Sequence, residues 1–230
     1  MKATFLDFDG VIADSIEETF VVSLNIFYGF SGPDDLDSVR QLFFKYRGLV
    51  RPPHHFWALH SAIKSALIRG KALDYNQFRD IFFEAVEHCE IYKERFECLF
   101  FSLRKHLQLD KSYWVSLNPI TEYGKSLVGR DLKDYYIVTT KDSLALDTLL
   151  SAYGIDVKVR FTKSDYEKHG SKGNIINSVM DSSGPYKSAI FVDDATEHLD
   201  TVDNSLVTCY FAHWGYGVNT NYNEFSQDKW

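Results

Sequence analysis

Five residues at the ends of apolar runs carry groups able to do chemistry: Asp7 and Asp9, then Thr139, then Asp193 and Asp194. In open parallel sheets ligands bind beyond the carboxyl ends of the strands, near the point where strand order reverses. Three such ends in one crevice would make an acid-rich pocket with a hydroxyl beside it. Crowded carboxylates repel one another, and each resists ionisation unless a cation is near. Their oxygens are natural ligands for Mg²⁺, which takes few protein groups and keeps positions for water and phosphate. A metal would also relieve the repulsion among Asp7, Asp9 and Asp194.

The elements that must position these groups are legible as short apolar runs. Ala3–Phe8 reads as a buried strand closed by Asp-Gly. Tyr135–Val138 ends in Thr139-Thr140-Lys141-Asp142, and Ala189–Val192 ends in Asp193-Asp194. Val157–Phe161 and Leu206–Phe211 complete a set of five predicted strands. Helical patterns over Ser143–Tyr153, Lys172–Met180 and Thr196–Val202 separate the later ones. Strands alternating with helices predict an α/β fold with a doubly wound parallel sheet.

The segment from about residue 15 to residue 112 has a different character. Its amphipathic stretches include Ile16–Tyr28, Phe56–Ile68, Phe78–Cys89 and Tyr92–His106. Turn-forming residues at 29–33, 48–53 and 70–75 divide them. The pattern predicts an all-helical insert spanning 15–112, with the α/β domain formed by 1–14 and 113–230. Beyond His213 the glycines and asparagines predict an irregular tail.

Composition narrows the partners. The 230 residues carry 32 acidic and 25 basic side chains, a net charge of −7. Nonspecific nucleic-acid binding needs clustered cations, so that class is disfavoured. Cys89, Cys98 and Cys209 are odd in number and form no CxxC pair, against a disulfide framework or a zinc site. The first apolar run contains Asp7, unlike a signal peptide, and no apolar stretch approaches the ~20 residues that span a bilayer. The expectation is a soluble cytoplasmic protein, monomer or homodimer, with no nucleic-acid or membrane partner.

Taken in order, these segments resemble the motifs of the haloacid dehalogenase (HAD) superfamily of phosphohydrolases. Asp7-Phe8-Asp9-Gly10-Val11 resembles the first, Val138-Thr139-Thr140-Lys141 the second, Lys172-Gly173-Asn174 the third and Val192-Asp193-Asp194 the fourth. The helical insert stands where the family's first-type cap is usually found. One Asp-x-Asp-Gly is a weak signal because those residues also favour turns, but four motifs in family order are specific.

The resemblance implies roles. Asp7 is the expected nucleophile, forming an aspartyl-phosphate. Asp9 is the expected general acid and then base, and its presence favours phosphate chemistry over the family's dehalogenases, which lack it. Thr139 and nearby backbone N–H groups, with Gly10 and Thr140, are expected around the phosphoryl oxygens. Lys172 is expected to pair with Asp7 and the phosphate. Mg²⁺ is expected on Asp7, the Asp9 backbone carbonyl and Asp194, with Asp193 ligating or supporting it. Family members often carry another acid or Asn three or four residues on; Glu197 and His198 stand there, Glu197 being the candidate outer-shell carboxylate.

Other residues have competing readings. Thr139 is alternatively a cap for the helix at Ser143, and most lysines like Lys172 are solvated. Arg47, Arg51, His54 and His55 form a cationic group that either contacts the non-phosphate part of a substrate or is a solvated turn. Trp214-Gly215-Tyr216-Gly217 either lines the pocket or packs against the core, and packing is the favoured expectation. The implied activity is Mg²⁺-dependent hydrolysis of a small phosphorylated metabolite. Alternatives are a sugar phosphomutase using His54 or His55 as an acid–base group, and a non-catalytic binding protein on the same fold.

Overall fold

The computed structural model describes residues 1–70, 73–182, 186–218 and 221–226. The chain divides into two compact units, one made of Met1–Ser15 with Asn118–Trp230 and the other of Ile16–Leu117. Strand β1 (Lys2–Leu6) opens the first unit. The second unit holds helices α1 (Ile16–Tyr28), α2 (Leu36–Tyr46), α3 (His55–Arg69), α4 (Tyr75–Cys89), α5 (Lys93–Leu107) and α6 (Lys111–Ser116). The first unit then resumes with α7 (Glu122–Leu127), β2 (Tyr135–Val138), α8 (Ser143–Tyr153) and β3 (Val159–Phe161). It ends with α9 (Lys163–His169), α10 (Lys172–Ser182), β4 (Ser188–Asp193), α11 (Thr196–Leu199) and β5 (Val207–Phe211).

Among the described residues the strands form one parallel sheet in the order β3-β2-β1-β4-β5. The chain builds outward from β1 through β2 to β3, then crosses to the other side for β4 and β5. Strand order therefore reverses at β1, the place where such sheets bind ligands. Leu6 pairs with Val192, and the Asp7 N–H extends the ladder to the Val192 carbonyl at 2.9 Å.

Side chains alternate across a sheet with a period of two. Ala3 and Phe5 of β1, with Ala189 and Phe191 of β4, bury one face against Ile175, Ile176 and Val179 of α10. Continuing that alternation past the strand ends brings Asp7 and Asp193 onto the α10 side. The fold thus converts an apolar packing pattern into a pair of acids above one helix.

The second unit has its own core. Phe43, Phe56 and Phe100 stack in sequence, with ring centroids 5.7 and 5.5 Å apart. Buried Glu18 of α1 accepts two hydrogen bonds from Arg104 of α5, at 2.8 and 2.9 Å, so the charge buried there is paired. Helix α4 starts at a capping box in which Asp74 and Gln77 exchange hydrogen bonds.

Several expected boundaries move. Strand β3 pairs only from Val159; Val157 is buried in the preceding segment without joining the ladder. Helix α11 ends at Leu199 instead of Val202. Helix α9, with the sequence KSDYEKH, buries no side chain fully and so shows no apolar stripe; it is started by a Thr162–Asp165 capping box. Residues 71 and 72 of the 70–75 turn, and 219, 220 and 227–230 of the tail, lie outside the described residues. No helix among the described residues is long and apolar enough to cross a membrane.

Candidate active site

Asp7 leaves β1 with its side chain almost fully buried. Its Oδ1 accepts the Phe8 N–H at 2.7 Å and lies 2.8 Å from Lys172 Nζ. Lys172, in the first turn of α10, is buried too, and its Nζ donates to Asp193 Oδ2 at 2.8 Å. Capping of that helix falls to Ser171, whose Oγ accepts the Asn174 N–H. A lysine far along the chain is thus clamped between two strand ends and is not a solvated one.

Asp193 has both carboxylate oxygens engaged. Oδ1 accepts the Ala195 N–H at 2.8 Å, while Oδ2 takes Lys172 and sits 3.1 Å from His198 Nδ1. Burial alone would raise its pKa, but Lys172 and then His198 outweigh that and hold it well below the usual carboxylate range. Asp7 goes the other way: burial, then the charge of Asp193, push it well up, with Asp194 adding to the rise and Lys172 opposing it. For Lys172, burial favours the neutral amine, yet Asp193 and Asp7 reverse this and keep it firmly protonated.

Asp9 lies inside a tight turn in which the Phe8 carbonyl accepts the N–H groups of Val11, Ile12 and Ala13. Gly10 takes φ +82° there, a conformation that favours glycine. Its N–H is already given to the Ala13 carbonyl at 2.8 Å, so Gly10 offers room and not a donor. Lys141, buried just after β2, donates to Asp9 Oδ1 at 2.8 Å and Oδ2 at 3.1 Å. The Ser15 hydroxyl also donates to Asp9. Thr139 is buried, its Oγ1 accepting the Lys141 N–H at 3.2 Å, whereas Thr140 is exposed. Asp142 caps α8 through the Ala145 N–H, which removes the capping alternative for Thr139.

Asp194 is walled in by glycines. A Cβ on Gly10 would lie 2.5 Å from Asp194 Oδ2, one on Gly215 2.3 Å from Asp194 Cβ, and one on Gly217 1.6 Å from its carbonyl oxygen. Tyr216, between the last two, donates its N–H to Asp194 Oδ2 at 2.6 Å and its hydroxyl to Asp14 at 3.1 Å. The Ser15 N–H in turn donates to the Tyr216 hydroxyl. The expected packing role fits Trp214, whose ring meets Tyr123 and Phe225. It does not fit residues 215–217, which form a wall around an acid.

Lys141, Ser15, His198 and Tyr216 are the site residues that sequence reasoning missed. Lys141 stood beside Thr139 in a strand-end run, and His198 was noted only by position. Tyr216 lies in a run just past the last strand, for which packing is favoured over lining the pocket, and for Ser15 nothing local gives a signal.

Four carboxylates (Asp7, Asp9, Asp193 and Asp194) share this region with two ammonium groups, Lys141 and Lys172, which leaves two negative charges. Oxygens of Asp7 and Asp193 and a ring nitrogen of His198 lie within 4.8 Å of one another. With Asp193 held by Lys172 and His198, the oxygens that could hold a cation are those of Asp7, Asp194 and the Asp9 backbone. An all-oxygen set with a deficit of two charges suits a small hard divalent ion.

The remaining candidates lie in the second unit with partners of their own. The Arg47 guanidinium lies 4.8 Å over the Phe56 ring, and Arg51 donates to the Gly48 carbonyl at 2.7 Å. His54 is buried, with Nδ1 2.8 Å from Glu97 Oε1 and Nε2 3.0 Å from Glu90 Oε1; His55 is beside it, partly buried.

No protein-family profile matches the chain, and no curated protein matches it. Solved structures do. A protein of Lactobacillus plantarum with the provisional name phosphoglycolate phosphatase superposes with a TM-score of 0.57 at 14% identity, covering 98% of this chain and 94% of its own. The provisionally named HAD-hydrolase YfnB of Bacillus subtilis, in a magnesium-bound crystal, gives 0.56 at 14% identity over 99% and 96%. A haloacid dehalogenase-like hydrolase of Streptococcus pneumoniae gives 0.53 at 17% identity over 94% and 86%. The chain has the α/β fold of the haloacid dehalogenase-like hydrolases, a parallel five-stranded sheet with helices.

Proposed function

We propose that the protein is a Mg²⁺-dependent phosphatase acting on a small phosphorylated metabolite through an aspartyl-phosphate on Asp7. The single observation carrying this reading is Lys172, buried and shared between Asp7 and Asp193 at 2.8 Å each. A solvent-excluded ammonium held against a strand-end carboxylate provides fixed positive charge where phosphoryl transfer develops negative charge.

Asp7 Oδ1 takes Phe8 N–H and Lys172, which leaves Oδ2 as the attacking oxygen. In the first step an Asp7 O–P bond forms as the P–O bond to the alcohol breaks, and the alcohol leaves with a proton from Asp9. In the second, a water oxygen bonds to phosphorus, Asp7 is released and the water's proton passes to Asp9. Lys141 and Ser15 hold Asp9 in place for both transfers. Thr139, with Thr140, would receive phosphoryl oxygens. Asp7, Asp194 and the Asp9 carbonyl would hold Mg²⁺, whose chemistry there is neutralising and orienting the phosphate.

Residues 16–117 are proposed as the cap of this fold. Sugar phosphates and phosphoglycolate-like acids are the substrate classes to try first. The alternative, a mutase using His54 or His55 as its acid–base group, is separated by product analysis: isomerised sugar phosphate against free phosphate. The test is phosphate release from an aryl phosphate and a metabolite panel with Mg²⁺. Wild type should turn over and Asp7→Asn should not. An inert wild type, or an Asp7→Asn variant as active as wild type, would defeat the reading.

A further inference from the structure

Away from Asp7, the second unit gathers a different ligand set. Ring nitrogens of His54 and His55 and a carboxylate oxygen of Glu90 all lie within 4.8 Å of one another. The fold brings them together because α3 begins at His55 directly after His54, while Glu90 opens the short 3-10 turn Glu90–Tyr92 at the end of α4, the helix packed against α3.

Three features go beyond proximity. His54 is buried, and its Nδ1 faces Glu97 Oε1 at 2.8 Å. Metal-bound histidines commonly have a carboxylate of this kind on the ring nitrogen that does not bind the ion. The other ring nitrogen, Nε2, lies 3.0 Å from Glu90 Oε1. Ligand atoms on a tetrahedral zinc ion with ordinary bond lengths stand about 3.3 Å apart, so this pair is close to such a spacing. Finally, His55 Nδ1 is buried with no hydrogen-bond partner among the described residues. A buried ring nitrogen without a partner is costly unless something fills its lone pair.

We infer that His54, His55 and Glu90 form a binding site for a late first-row divalent ion of the zinc class, with Glu97 orienting His54. Imidazole nitrogen prefers zinc, cobalt or nickel over magnesium, so the site is chemically distinct from the oxygen cluster at Asp7. Three protein ligands leave a further position for water. Bound metal would tie the start of α3 to the end of α4 and stabilise this unit.

The experiment uses the full chain without a polyhistidine tag, in excess Mg²⁺ so that any oxygen site is filled. Co²⁺ is titrated while its visible d–d absorption is followed, and Zn²⁺ is then added as a competitor. One equivalent of Co²⁺ should develop a histidine-type spectrum that Zn²⁺ abolishes. The spectrum should persist in Asp7→Asn, which separates this site from the proposed phosphatase centre. It should be lost in His55→Ala and in Glu90→Gln, an exposed position whose change leaves the core intact; circular dichroism confirms folding. Glu97→Gln should weaken Co²⁺ binding about 10- to 100-fold. Absence of the spectrum, its loss in Asp7→Asn, or its survival in folded His55→Ala and Glu90→Gln overturns the inference.

Discussion

Lys141 Nζ sits 2.8 and 3.1 Å from the two carboxylate oxygens of Asp9, joining the end of β2 to the turn after β1. The lysine is wholly buried and the aspartate about one quarter exposed, with side-chain values of 0% and 27%. One member of the pair is therefore fixed while the other faces accessible space, an arrangement suited to holding a proton-transfer group in register.

Replacing Lys141 by Met should keep the fold and slow turnover. A hydrogen bond to a charged group contributes about 1.5–3 kcal/mol, which corresponds to roughly a ten- to hundred-fold fall in kcat. Asp9→Asn should cost more, about 10²- to 10⁴-fold, since it removes the acid–base group itself. Steady-state kinetics on the substrate found by screening compares the two; equal rates for Lys141→Met and wild type would rule out the positioning role.

Lys172→Met should be seen first as lost stability. It leaves Asp7 and Asp193 buried without their shared cation, and breaking such a pair costs about 3–5 kcal/mol. Chemical denaturation should show a lower midpoint with little change in slope. Mg²⁺ should restore part of the loss, because a divalent ion substitutes for the missing charge.

Gly215→Ala tests the wall around Asp194. The added methyl would lie 2.3 Å from Asp194 Cβ, so the carboxylate must shift. Overpacking of this kind costs about 1–3 kcal/mol in stability. The specific expectation is that the Mg²⁺ concentration for half-maximal activity rises more than KM for substrate does. Parallel increases in both would point to a general loosening instead.

The opposed shifts of Asp7 and Asp193 set a pH dependence. Asp7 has a native pKa above its unfolded value, so the native state holds its proton longer. Without divalent metal its contribution to stability falls as pH rises from the ordinary carboxylate value through the raised one. Asp193 has a native pKa below its unfolded value, so its contribution is present above the ordinary value and disappears as pH falls through the lowered one. Magnesium favours ionised Asp7, and the rise in melting temperature that it causes should be larger at about pH 8 than at about pH 5. An equal rise at both would contradict the assignment of Asp7 to the metal.

What could be read from the sequence was local. Apolar runs ending at Asp7, Thr139 and Asp193 identify buried strands and their exits, because burial on both faces demands continuous hydrophobicity. Helix α8 is legible to the residue for the same reason, its apolar period bounded by Asp142 and Gly154. Helix α9 was not, since seven mostly polar residues carry no such period.

The tertiary structure decided everything that depends on elements distant in sequence. Sheet order alone sets β1 between β2 and β4 and so brings Thr139, Asp7 and Asp193 side by side. The burial of Lys141 and Lys172 depends on carboxylates 132 and 165 positions away, which no local pattern records. Tyr216 and the glycines beside it read as core packing until Asp194 is seen between them. A charged side chain tolerates burial only where its partner already stands. That pairing is a property of the folded chain and not of any one segment.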